Sequence, residues 1–216
     1  MKKVILAVFI GMIFTMIVSN YSNTVQADLA NSLVRFHVIA NSDSKEDQEL
    51  KYRVRDRIIN EMEEQFDESA NIDVTKELIQ ASIPHIEEIA KDEIKKWNKE
   101  YDVKATLNIY PFPTKVYGDV TLPAGNYEAL RVVIGEGQGE NWWCVLFPPL
   151  CFVDATHGVM PDSAKQRLKN VLSEEEYKII TTADGDDQIP VQIKFKVVEL
   201  WQKSKIKVQT AFNRTK

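Results

Sequence analysis

Apolar residues in this chain recur every three to four positions up to Trp97 and every second position from Val103, and this switch of period near Tyr101 restricts the fold more than any other feature. Leu50, Val54, Ile58, Met62 and Phe66 form one stripe, with Arg, Glu, Gln and Asp on the other faces. That is the buried side of an amphipathic helix. Asn41-Ser42-Asp43-Ser44 precedes it as a turn cluster, and Ser44 followed by Asp47 resembles a capping box. A second stripe starts near Val74 and runs through Ile79, Ile83, Ile86, Ala90, Ile94 and Trp97. Pro84 lies inside it. Proline lacks the donor N–H and crowds the preceding turn, so a kink or break is expected there, with Ser82 placed to cap a new helix.

The strand signals are shorter. Leu33 to Ala40 is rich in β-branched and aromatic residues and reads as a strand before the helices. Val103, Ala105, Leu107 and Ile109 alternate with Lys104, Thr106 and Asn108, the pattern of a half-buried strand that ends at Pro111 and Pro113. Val116 to Leu122 reads as extended or loop, and Pro123-Ala124-Gly125-Asn126 as a turn. Tyr127 to Ile134 and Asn141 to Phe147 read as two more strands. The glycine-rich Gly135 to Glu140 between them predicts a hairpin with a long, flexible tip. Past Asp154, Ser163 to Leu172 reads as a short helix and Thr181 to Gln188 as an acidic loop. Val191 to Thr210 stays ambiguous between strand and basic amphipathic helix. The expected class is α+β: amphipathic helices on one face of a small, at least partly antiparallel sheet.

Ahead of this body, Lys2 and Lys3 are followed by Val4 to Val18, 15 residues without charge, then the polar Ser19 to Gln26 and Ala27. This is the layout of a secretory signal, with cleavage expected after Ala27. An uncleaved anchor is the alternative, although a span needs roughly 20 apolar residues. A buried core helix is a third reading. The expected division is 1–27 signal peptide, 28–154 α+β domain, and 155–216 a C-terminal extension packed on that domain or continuous with it. Removing Lys2 and Lys3 from the 27 basic residues leaves 25 against 32 acidic ones, a net charge of −7. A body this acidic argues against nucleic acid and against broad adhesion to anionic lipid.

Few residues carry chemistry. Cys144 and Cys151 flank Pro148-Pro149, and an even cysteine count in an exported chain favours a disulfide. Two buried thiols are the alternative. A thiol hydrolase would pair Cys144 or Cys151 with a histidine such as His157, near Asp154, but no nucleophile signature surrounds either cysteine. His37 and His85 read as satisfied structural histidines. Three histidines and two cysteines make a metal site unpromising, and no cofactor is expected. Gly135, Gly137 and Gly139 fit no phosphate-binding motif. Asp184, Asp186 and Asp187 lack the rest of a calcium loop. Trp142 and Trp143 are adjacent and must point to opposite faces of a strand. One serves the core, and the other is either covered by the chain itself or anchors a partner.

The runs Phe112-Pro113-Thr114-Lys115-Val116-Tyr117-Gly118, Leu122 to Ala129 and Gly139 to Cys151 resemble the stage II sporulation protein R family. Ile39 to Ser44, Asp47-Gln48, Leu50-Lys51 and Val54-Arg55-Asp56 fit the same family, so the likeness covers roughly Val34 to Asp154. The resemblance implies an endospore-forming bacterium. It implies a signalling protein, not an enzyme, made in the forespore and exported into the space between forespore and mother-cell membranes. There it would activate a membrane-embedded aspartic protease that processes a mother-cell pro-sigma factor. No small-molecule substrate is implied. The expected partner surface is Phe112, Lys115, Tyr117, Tyr127, Trp142, Trp143 and Phe147. A secreted cysteine-dependent hydrolase and an envelope structural protein are the alternatives.

Overall fold

The computed structural model describes residues 9–11, 13, 15, 16, 26–67, 71–151 and 160–181. The strand expected at Leu33–Ala40 forms as β1 (Val34–Ile39), and all of its residues are buried. It lies inside a four-stranded sheet with β2 (Val103–Phe112), β5 (Gly125–Ile134) and β6 (Asn141–Phe147), in the order β2-β5-β1-β6. β5 is antiparallel to β2 and parallel to β1, and β6 is antiparallel to β1. The hairpin expected between β5 and β6 therefore does not form, because β1 is inserted between them. A strand whose residues are buried on both sides is best placed where both edges are bonded and both faces covered. Between β2 and β5 the chain makes a small ribbon, β3 (Lys115–Tyr117) and β4 (Val120–Leu122). Gly118 turns it at φ 62, a backbone region open to glycine.

One face of the sheet is covered by α2 (Lys45–Asp67) and α3 (Ile72–Lys96). The expected stripes point inward: Leu50, Val54, Ile58 and Met62 from α2, and Ile79, Ile86, Ala90 and Ile94 from α3, meet Phe36, Val38, Leu130 and Val132 of the sheet. Ile83 and Trp97 pack half-buried against the same core, and the Phe66 side chain lies outside the described residues. Each fully buried large apolar side chain contributes about 1.5–3 kcal/mol. Pro84 does not break α3, which continues to Lys96 and is capped by Asn71 accepting from the Val74 N–H at 3.0 Å. Ile79 on one side of Pro84 and Ile86 and Ile89 on the other sit in one core, and that burial outweighs a penalty of roughly 3 kcal/mol.

The second face is covered too, whereas the expected fold placed helices on one face and left open whether the chain itself covers the other. Its cover is α1 (26–32), the β3–β4 ribbon, α4 (Asp162–Val171) and α5 (Glu174–Thr181). Leu29, Leu33, Val120, Leu122, Ala164, Leu168 and Ile180 form this smaller core with Ala129 and Val145 of the sheet. α4 matches the expected helix at Ser163–Leu172, whereas α5 was not expected. The acidic 182–188 and the ambiguous 191–210 lie outside the described residues. Leu29 and Leu33, both fully buried, lie beyond the cleavage site expected after Ala27. Among the described residues no helix is long and apolar enough to cross a membrane.

Ile109, expected to face inward, is 66% exposed because the helical layer reaches only Val103, Ala105 and Leu107 of β2. The outer edge of β2 is blunted by side chains. Ala105 N–H donates to Glu87 Oε1 at 2.8 Å, Ile109 N–H donates to Asn108 Oδ1 at 2.7 Å, and Pro111 has no N–H.

The glycine-rich segment is a pinned loop and not a flexible hairpin tip. Gly139 N–H donates to Ala40 O at 3.0 Å, Gln138 N–H to Asn41 O at 3.1 Å, Glu136 N–H to Asn41 Oδ1 at 3.0 Å and Glu140 N–H to Asp43 Oδ1 at 2.7 Å. A Cβ at Gly139 would meet the Ser42 carbonyl. Asp47 anchors the other side of this joint, accepting from Asn41 Nδ2 at 2.8 Å and Ser42 Oγ at 2.5 Å, while its N–H donates to Ser44 Oγ at 3.2 Å. Burial alone would raise the Asp47 pKa, but hydrogen bonds from Ser42, Asn41 and Tyr101 outweigh it and hold the carboxyl below its ordinary value. The contribution is thus present above the ordinary carboxylate range and lost as pH falls through the depressed value. Asp47→Ala is expected to cost about 2–3 kcal/mol at pH 7, measured by urea unfolding, and less at pH 3. An equal cost at both pH values would rule out the charge as the cause.

Candidate partner-binding face

Alternate residues of β1 point to opposite faces. Val34, Phe36 and Val38 enter the helical core, and Arg35 and His37 enter the other side. Arg35 is completely buried. Its Nε donates to Cys144 O and one Nη to the Tyr117 hydroxyl, both at 3.0 Å. Its guanidinium lies 4.5 Å from the Phe112 ring centre and 5.0 Å from that of Tyr127. The other Nη has no partner. Tyr127 donates to Pro123 O at 2.8 Å, and burial pushes its pKa up to about 12, so it is a neutral wall of this pocket.

His37 is packed among Trp143 at 4.6 Å, Phe112 at 5.4 Å and Tyr110 at 5.7 Å between ring centres. Neither of its ring nitrogens has a partner, so it is buried but not the satisfied histidine expected. Burial first, then the nearby Arg131 and Arg35, push its pKa down to about 4. Arg131 lies opposite His37 in the β1–β5 register, with its guanidinium 5.0 Å from the Tyr110 ring centre and its Nε buried without a partner. Lys115 Nζ is 5.8 Å from the Trp143 ring centre, and burial, then Arg35, push its pKa down. Among the described residues, Arg35, Arg131 and Lys115 make no ion pair.

The expected surface residues therefore separate. Lys115, Tyr117 and Trp143 stand half-buried around this cluster, while Phe112, Tyr127 and Phe147 are interior side chains. Trp142 faces the other way, as two adjacent strand residues must. It meets Phe36 edge-on at 5.9 Å, with the Arg55 guanidinium 4.6 Å from its ring centre. Arg35, Arg131 and Tyr110 were not picked out from the sequence. The available signal was the alternation Val34-Arg35-Phe36-His37-Val38, which puts two polar residues on one face of a strand otherwise fit for burial.

Cys144 and Cys151 form a disulfide with Cα atoms 5.6 Å apart, as favoured. His85 is exposed beside Glu88 at 3.7 Å, and His157 and Asp154 lie outside the described residues. Among the described residues no group of His, Cys, Asp and Glu side chains could hold a metal ion.

The family model for stage II sporulation protein R matches residues 30–157, from α1 through β6 and past the disulfide. The chain belongs to the stage II sporulation protein R family. A stage II sporulation protein R from Bacillus subtilis (strain 168) is 38% identical over 130 residues, which cover 60% of this chain and 58% of that protein. The match thus spans less than two thirds of the relative's length. No solved structure matches. Two family segments far apart in sequence, Asn41–Asp47 and Gly139–Glu140, meet in the hydrogen-bonded joint of β1, α2 and the glycine loop. Two others, Phe112–Tyr117 and Trp143–Cys144, line the Arg35 and His37 cluster.

Proposed function

We propose that this chain is an exported signalling protein of sporulation that acts by binding. Its target would be a membrane-embedded aspartic protease facing the space between forespore and mother cell, with processing of a mother-cell pro-sigma factor as the consequence. Family membership supports the sporulation role. The observation that carries the binding role is the half-buried face where Trp143, Tyr110 and Lys115 surround the buried Arg35 and the half-buried Arg131, neither of which is ion-paired among the described residues. Rigid aromatic side chains of this kind are frequent interface anchors. Activation then requires that the chain bind the active arrangement of the protease more tightly than the inactive one.

The test is reconstitution in a heterologous cell expressing the protease and its pro-sigma substrate. Processing is expected with the full chain and lost when residues 1–27 are deleted. Processing without the leader, or none with all three components made, overturns the reading. The hydrolase alternative is separated by Cys144→Ser with Cys151→Ser. Opening this short loop is expected to cost about 2 kcal/mol of stability. A folded double variant that still triggers processing excludes a cysteine nucleophile.

A further inference from the structure

We propose that the Arg35–His37–Arg131–Lys115 cluster is a carboxylate-recognition site that takes an acidic peptide segment of the partner protein. The inference rests on the binding role above and names the chemistry that role would use.

The cluster and the rings around it come from five strands. Arg35 and His37 come from β1, Arg131 from β5, Lys115 from β3 and Trp143 from β6, with Tyr110 of β2 closing the side. Arg35 is fully buried and His37 is 4% exposed, yet one guanidinium nitrogen and both imidazole nitrogens lack partners, as does Arg131 Nε. Each buried polar group left unpaired costs about 1–3 kcal/mol, so a fold that keeps several in one place is primed for an acceptor. The chain as a whole carries −5, so three cations with no ion pair among the described residues are not part of a generally basic surface. The occupant must be negative and compact. Arginine binds carboxylates through paired N–H bonds, and the surrounding rings offer walls for the methylenes of Glu or Asp. A nucleic acid is a poor fit, because it needs a long track of cations and this chain is acidic overall. A polypeptide segment with several Asp or Glu residues matches both the charge and the size.

The test is direct binding of an N-acetylated, C-amidated hexaglutamate peptide to the purified full chain by calorimetry, with hexaglutamine as control. Hexaglutamate is expected to bind at least tenfold more tightly than hexaglutamine, with affinity falling as salt rises. Arg131→Gln and Lys115→Gln, both at half-buried positions, are each expected to weaken binding tenfold or more. Arg131→Lys and Lys115→Arg should retain most of it, which controls for damage to the fold. A bound carboxylate should also raise the titration midpoint of His37, followed by its ring proton resonance, and leave the exposed His85 unmoved. Equal affinity for both peptides, unchanged affinity in the Gln variants, inorganic phosphate binding as tightly as hexaglutamate, or a His37 midpoint indifferent to peptide would each overturn the proposal. Only purified chain and peptide are present, so such a failure is distinct from a failed reconstitution with the protease.

Discussion

Arg35→Ala is expected to destabilise the fold by about 3–5 kcal/mol, measured by denaturant unfolding at pH 7. The substitution empties a fully buried site between Phe112 and Tyr127, removes the side-chain donor from the Cys144 carbonyl and leaves the Tyr117 hydroxyl only its 3.3 Å bond to the Trp143 carbonyl. Arg35→Met separates shape from charge. A hydrophobic side chain of similar volume often replaces a buried charge at little or no cost, so this variant should fall well short of the Ala penalty. If Arg35 serves the partner and not the fold, Arg35→Met will fold and yet fail to bind the acidic peptide. Lysine is not a conservative choice, since one ammonium cannot copy the planar fork that reaches two acceptors. An Arg35→Ala cost below about 1 kcal/mol would show that the guanidinium holds nothing together.

Acid should weaken the fold well above the range where carboxylates titrate. His37 has its pKa lowered from 6.5 to about 4 in the folded chain, so the unfolded chain binds the proton first as pH falls. The stability from the neutral, buried imidazole is fully present above pH 6.5. It is lost progressively between pH 6.5 and about 4, a loss of roughly 3 kcal/mol. The charged groups facing the ring are Arg35 on its own strand and Arg131 on β5, and the titratable neighbour is Tyr110 on β2. Neither arginine can take up the incoming charge. His37→Phe keeps a ring among Trp143 and Phe112 and removes the titration. Urea midpoints at pH 7.5, 5.5 and 4.5 should fall steeply for the parent and gently for His37→Phe. Parallel curves would assign the acid sensitivity elsewhere, with Asp47 and Asp119 expected to act only at lower pH because their pKa values are depressed.

The helical layer was legible because an amphipathic helix announces its buried side locally. Leu50, Val54, Ile58 and Met62 needed no tertiary information to be assigned inward. The opposite orientations of Trp142 and Trp143 followed from strand geometry alone, and the Cys144–Cys151 bridge from an even cysteine count around Pro148-Pro149 behind an expected export signal. The family was legible from motif order, although the reason two of its motifs belong together was not. Asn41 and Gly139 are close only because the glycine loop folds back over the start of α2.

Strand order and the site were settled at a distance. Local pattern favoured pairing β5 with its sequence neighbour β6, and nothing local reveals that β1, some 90 residues earlier in register terms from Arg131 to His37, takes the place between them. Burial of Pro84's neighbours overrode a helix breaker, and the reach of α3 decided that Leu107 is covered and Ile109 is not. The same long-range packing turned His37 and Arg35 from two polar residues in a strand into part of one buried polar cluster. A sequence dictates which faces must be hidden, because that depends on side chains a few residues apart. What hides each face, and which buried polar groups are left waiting for a partner, depends on surfaces brought together only when the whole chain folds.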